Sequence, residues 1–447
     1  MSRRLNPQAI VFLLLGFFLG ASSAALSWQL NYARRWKDQL ASIERRLALA
    51  ESERDRFHAL VGQAEKAKAL ARNKAQREAV EKAVVEIRGL PFKSPVDYEV
   101  LDRKQIKATI AGKLREVFSD EEFANITKAL ARLGLLDPGY PLREKYIDLL
   151  GEQVAAFYDQ HQHKLFMFED ASLDSAQNRV VLAHELTHAL QDQHFGLNRL
   201  PLELKTNDDR AAAAAALVEG EATLVMSEYM LKNLSLGSLK DSLSATFAQD
   251  MAQLAKAPAY LRELLVFPYL RGQEFCAALY ARGEYAAVTK AYENPPASTA
   301  QILHPEKFLA EPREEPIAID WPDTTVRGEK PIVDNVLGEL GIRILLSEWV
   351  DPATGERAAA GWRGDRYACF AKGEAIAWKS IWGSEAEANE FMEAEKRTLA
   401  RRYAKDAAPA RVVRWHAAGN AVLLVDAPDE AWAAALEERF GRLTGAN

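Results

Sequence analysis

Residues 180–195 hold His184, Glu185 and His188 in the pattern H-E-x-x-H, inside an apolar run with neither proline nor glycine. Such a run is predicted to be helical. On a helix, positions i and i+4 share a face, so the two histidines point at one place in space. Two imidazoles there can hold Zn²⁺, and Glu185 beside them can serve as general base toward a water activated by the metal. The plain alternative is a pair of core histidines satisfied by hydrogen bonds. With eight histidines in 447 residues, this spacing around a glutamate favours the metal reading. A catalytic zinc also needs a third protein ligand and an open position, and the sequence offers two candidates for that ligand.

The first lies on a second element, predicted from Asn207, an N-cap residue, through the alanine run 211–216 to Leu217, Val218, Glu219, Gly220, Glu221 and Ala222. H-E-x-x-H followed on a second helix by E-G-x-A resembles the gluzincin branch of the zincin metallopeptidases. The resemblance covers about forty residues, roughly a tenth of the chain. It implies that Glu219 completes a zinc site with His184 and His188, that Glu185 is catalytic, and that the reaction is peptide hydrolysis. The chain departs from that pattern in two ways. The interval from His188 to Glu219 is longer than in the thermolysin type, and Thr223 stands where an acid often follows the ligand glutamate. Glu221 or Asp192 is expected to support the ligands instead. The rival third ligand is His194, ten positions after His184, as in metzincins. There a glycine turns the chain after the second histidine, whereas here the position is Gln191. As a continued helix, His194 lies about 120° off the metal face. Met226 and Met230 fall within a predicted helix, so no Met-turn follows. Gly220 costs a helix about 1 kcal/mol relative to alanine, which is expected to be offset by a close approach to the first helix.

A net charge of −6 argues against nucleic acid as a partner. Arg3 and Arg4 are followed by no charge until Arg34, with an apolar run at 9–21. This reads as a signal anchor over residues 1–30, or as a signal peptide cleaved near Ser22 to Ala25. Either way the remainder is expected outside the cytoplasm, tethered to the membrane or else secreted or periplasmic. Residues 31–88 read as a long helix with Leu40, Ile43, Leu47, Ala50, Phe57, Val61 and Ala64 at heptad spacing, broken at Arg54. It is either a short coiled coil able to pair two copies or a lone solvated helix.

Residues 89–310 are read as the catalytic domain. A strand at 96–101 precedes helices at 106–117, 120–133 and 143–157, and a strand at 164–168 is expected to wall a cleft and pair with an extended peptide. His161 and His163 lie on a polar turn and read as surface residues. Helices follow at 224–234 and 239–254, and residues 267–272 interrupt them with Pro268 and Gly272. In the loop after Tyr292, His304 is the candidate donor to the oxyanion of a tetrahedral intermediate, with Tyr292 and Tyr269 behind it. Residues 311–335 carry four prolines and read as a linker. Residues 336–447 read as a small α+β domain, with a turn at 361–365, strands at 366–370, 375–382, 411–415 and 421–425, and helices at 385–402 and 429–443. Its tryptophans read as core. Cys276 and Cys369 are too few for a disulfide framework, and whether they pair is open.

The expected fold class is therefore α+β, with a mainly helical zincin-like core, an N-terminal membrane or coiled-coil helix, and a small C-terminal domain. The expected activity is a zinc peptidase acting on protein or peptide. The rivals are a non-catalytic envelope scaffold with a zincin-like core, and a metallohydrolase of a non-protein amide.

Overall fold

The computed structural model describes residues 63–151, 156–168, 171–235, 254–321, 323–370, 374–405 and 410–442. The predicted anchor and most of the predicted stalk, residues 1–62, lie outside the described residues. Among the described residues no helix is long and apolar enough to cross a membrane. The architecture is mixed α+β with two small sheets.

The first unit is built on four helices: α1 (Gln63–Arg88), α5 (Ala176–Phe195), α6 (Asp208–Asn233) and α7 (Ala259–Ala291). Between α1 and α5 lie β1 (Asp97–Leu101), α2 (Arg103–Val117), α3 (Asp120–Leu133), α4 (Leu142–Gly151), β2 (Ala156–Asp159) and β3 (Lys164–Phe168). Helix α6 is the centre. Its residues from Ala211 to Thr223 are all buried, and it packs against α1, α5 and α7. Small side chains on every face make this possible, because they let neighbouring backbones come close. A Cβ on Gly220 would stand 2.1 Å from the carbonyl carbon of Gly272 on α7, and one on Gly272 would stand 2.1 Å from the Ala216 oxygen. Gly220 therefore serves contact with α7, not the expected approach to α5. The same contact explains why Gly272 does not interrupt α7, which runs through both Pro268 and Gly272 and is broken only at Gly283 and Glu284.

The end of the predicted stalk belongs to this core. Val80 and Val84 are buried, α1 packs on α5 and α6, and Arg88 is buried in an ion pair with Glu221. The three-stranded sheet has the order β1-β3-β2, with β1 parallel and β2 antiparallel to β3. Strand β3, the expected cleft wall, is thus the central strand, with both edges taken by neighbours. The outer edge of β2 lies against α5, and its first two residues, 156–157, are the predicted end of a helix.

Helices α8 (Thr299–Leu303) and α9 (Pro305–Leu309) lead to the second unit. Its sheet has the order β4-β5-β6-β8-β7 and is antiparallel throughout, with strands β4 (Val333–Asn335), β5 (Trp362–Phe370), β6 (Ala375–Trp382), β7 (Val412–Ala418) and β8 (Ala421–Ala427). Helices α10 (Gly338–Trp349), α11 (Pro352–Ala359), α12 (Glu385–Lys405) and α13 (Glu430–Phe440) cover it. Residues 362–365 are not a turn but the start of β5, where the register shifts between Trp362 and Gly364. Trp362, Trp378 and Trp382 are buried. Asp365, also buried, accepts from the backbone N–H of Leu337 (3.0 Å) and Gly338 (2.9 Å) and from the indole N–H of Trp362 (2.9 Å) and Trp378 (3.0 Å), which ties α10 to the sheet. Cys276 and Cys369 are buried and unpaired.

Candidate metal centre

Helix α5 ends where Gly196 adopts φ +68, a left-handed conformation that suits glycine at a helix C-terminus. Its residues from Val180 to Asp192 are all buried, so the usual one-sided apolar stripe is absent. His184 and His188 stand one turn apart on it and face α6. Glu219 meets them there, with its Oε2 at 3.1 Å from His184 Nε2 and 3.3 Å from His188 Nε2. The two Nε2 atoms are 2.9 Å apart. Tetrahedral zinc with ligand bonds of about 2.0–2.1 Å has edges of roughly 3.3 Å, close to this triangle. Among the described residues these three form a buried group that could hold a metal ion. Glu219 Oε1 has no hydrogen-bond partner although buried, and His184 Nδ1 likewise has none. A cation in the triangle would satisfy a carboxylate that is otherwise incompletely solvated.

Electrostatics fit the same use. Burial drives the His184 imidazole down to about 4, so it stays neutral with a lone pair to offer. Burial also opposes a charge on His188, but the Glu219 carboxylate outweighs it and raises His188 to about 9. Glu219 is correspondingly held low by His188, against the effect of its own burial. Without a metal, a proton on His188 therefore occupies the position that a cation would take. Glu185, on the next residue round the helix, is buried and pushed up to about 8 by desolvation. Its Oε2 accepts the backbone N–H of Tyr158 on β2 at 2.8 Å. Glu185 is thus seated against the outer edge of the small sheet. A dication in the triangle would favour its ionised form.

Support for the ligands comes from a residue that sequence reading passed over. His188 Nδ1 donates to Gln191 Oε1 at 2.9 Å, which leaves Nε2 for the metal. In sequence Gln191 marks only the absence of the metzincin glycine, and its place three residues after His188 on one helix is the signal for this contact. Of the two acids expected in this role, Glu221 accepts from the Gln191 amide at 2.8 Å. Asp192 turns elsewhere, to the Tyr158 hydroxyl (2.8 Å), the His163 ring (2.6 Å) and the Leu197 N–H (2.9 Å). His163 and His161 are exposed, as their polar turn predicts, and each is held by a carboxylate, His163 by Asp192 and His161 by Glu203 at 2.6 Å.

His194 is directed away from the triangle and meets the Pro91 carbonyl at 2.7 Å. His304 lies between α8 and α9, and its Nε2 meets Glu339 on α10 at 2.6 Å. None of the three grouped residues is among its hydrogen-bond partners. Of the tyrosines placed behind it, Tyr292 donates to Glu221, whereas the Tyr269 ring lies 6.2 Å from that of His184. Tyr269 is therefore the one of these three side chains in ring contact with the triangle.

Residues 326–437, which exclude the metal centre, match a family described as a domain of unknown function (DUF8575). No curated protein matches the chain. One solved structure, "Crystal structure of a putative hydrolase with a novel fold from Chloroflexus aurantiacus", aligns at 18% identity over 62% of this chain and 98% of its own. Its TM-score is 0.35, too low to bear on fold or activity.

Proposed function

We propose that the chain is a zinc-dependent peptidase of gluzincin type, in which His184, His188 and Glu219 bind the metal and Glu185 is the general base. The convergence of these four buried groups from two helices carries the reading. Two imidazoles and a carboxylate are a set that suits zinc and leaves a fourth position open. A zinc ion held there would polarise the scissile carbonyl and acidify the attacking water. Glu185 takes the proton from that water and returns it to the leaving amine. The proposed setting is outside the cytoplasm, with the N-terminal segment as tether.

A second reading, a non-catalytic protein with a structural metal, is favoured by one observation. His184, His188, Glu185 and Glu219 are each at most 1% exposed, so the centre is closed in this conformation. Glu185 weighs against that reading, since a structural site requires no base. Incubation of the metal-loaded chain with an unstructured polypeptide distinguishes the two. Cleavage that stops on chelation and returns with Zn²⁺ supports the peptidase. Stoichiometric zinc without turnover, together with unfolding on chelation, supports the structural metal.

A further inference from the structure

The buried charges behind the metal centre form a line that leads away from it. Gln191 Oε1 accepts from His188 Nδ1, and Gln191 Nε2 donates to the Val218 carbonyl (2.9 Å) and to Glu221 Oε2 (2.8 Å). Both partners of Nε2 are acceptors only, so the carboxamide has one permitted orientation. Turned by 180°, it would place its oxygen against two oxygens and its NH₂ against the histidine, and would stabilise the tautomer with the proton on Nε2. Glu221 and the Val218 carbonyl together decide, through Gln191, which His188 nitrogen is free. Glu221 is fixed in turn by the Arg88 guanidinium and the Tyr292 hydroxyl. Arg88 is the last residue of α1 and is held by Thr289 Oγ1 at 2.8 Å and by the Tyr285 ring at 4.9 Å. Gln191 and Glu221 are fully buried and Arg88 nearly so, so water does not compete for these bonds.

We propose that Gln191, Glu221 and Arg88 are positioning residues, a relay that locks His188 in the tautomer that presents Nε2 to the metal and couples helix α1 to the centre. The inference rests on the metal reading above. Glu219 and Glu221 stand about 200° apart on α6, so one helix turn serves both sides of the site. One glutamate faces the metal and the other faces the relay.

The test uses the full chain, with Zn²⁺ affinity measured by chelator competition and the Co²⁺-loaded protein followed by visible absorption. Glu221→Gln keeps the shape but gives Gln191 a partner that can present either an oxygen or an amide. It is expected to weaken zinc 10- to 100-fold and to alter the Co²⁺ bands at unchanged far-ultraviolet circular dichroism. Gln191→Met, which removes the acceptor from His188, is expected to do the same, and it substitutes if the first variant does not fold. Arg88→Lys, which keeps the charge, is expected to retain most of the zinc affinity. Folded single variants that bind zinc within twofold of the parent, with unchanged Co²⁺ bands, overturn the relay and leave the metal reading intact. A parent chain that binds no zinc, like His184→Ala, overturns both.

Discussion

Substituting alanine for Gly220 adds one methyl group at the tightest contact of the ligand-bearing helix. In a helix interior free of neighbours this exchange stabilises by about 0.5–1 kcal/mol. Here the added Cβ would meet the Gly272 carbonyl carbon at 2.1 Å and its oxygen at 2.2 Å, whereas ordinary contact begins at 3.4 Å. Both obstructing atoms are backbone, so no side chain can swing aside. Helices α6 and α7 must separate by about 1 Å, and overpacking of this kind costs about 1–3 kcal/mol or more. The expected net effect is a loss of stability, opposite in sign to the propensity gain. Glu219 adjoins Gly220 and shifts with it, and metal sites tolerate only about 0.2 Å, so zinc affinity should fall together with stability. Gly112 in α2 is the internal control. A Cβ there meets nothing within 4 Å, so Gly112→Ala should raise stability by about 0.5–1 kcal/mol. Urea unfolding of both variants, with zinc affinity by chelator competition, reads the comparison. A Gly220→Ala chain as stable as Gly112→Ala would refute the packing argument.

Other outcomes follow from the same geometry. Because Glu219 raises His188, metal uptake must expel a proton, so zinc affinity should increase by up to tenfold per unit as pH rises from 6 toward 9; calorimetry in buffers of different ionisation enthalpy counts the proton, and a pH-independent affinity contradicts the assignment. His194→Ala should bind zinc as the parent does while Glu219→Ala loses at least a hundredfold, as judged by metal content after dialysis; the reverse result moves the third ligand to His194. Asp365→Ala strands four donors and should cost about 3–5 kcal/mol in the second unit, measured by the urea midpoint; a loss below about 1 kcal/mol would show that water replaces the carboxylate.

Much of the candidate site is legible in local sequence pattern. The H-E-x-x-H spacing puts two histidines on one helix face by helical geometry alone, whereas Glu219 is indicated only by the resemblance of E-G-x-A to the gluzincin box, and the structure brings it to within 3.1 Å of His184. What escaped was decided by tertiary contact. Strand β2 is buried on both faces and shows no alternation, so Ala156 and Phe157 read as the end of a helix and Tyr158 and Asp159 as the turn after it. Gly272 and Gly364 read as breakers, yet each marks a close backbone approach, Gly272 to Ala216 and Gly364 to Ile317. Gln191 was invisible as a support for His188 because its significance depends on Glu221 and Arg88, residues 30 and 103 positions away. His304 is a warning of the opposite kind: a histidine before proline in an unusual loop proved to be held by Glu339.

Glu185 carries the proposed chemistry most directly. Purified chain and its Glu185→Gln variant, each shown to contain one zinc, are compared for release of new amino termini from an unstructured polypeptide. Removal of the base should lower the rate at least a hundredfold at unchanged zinc content. Equal rates in the two zinc-loaded proteins would contradict the proposed chemistry.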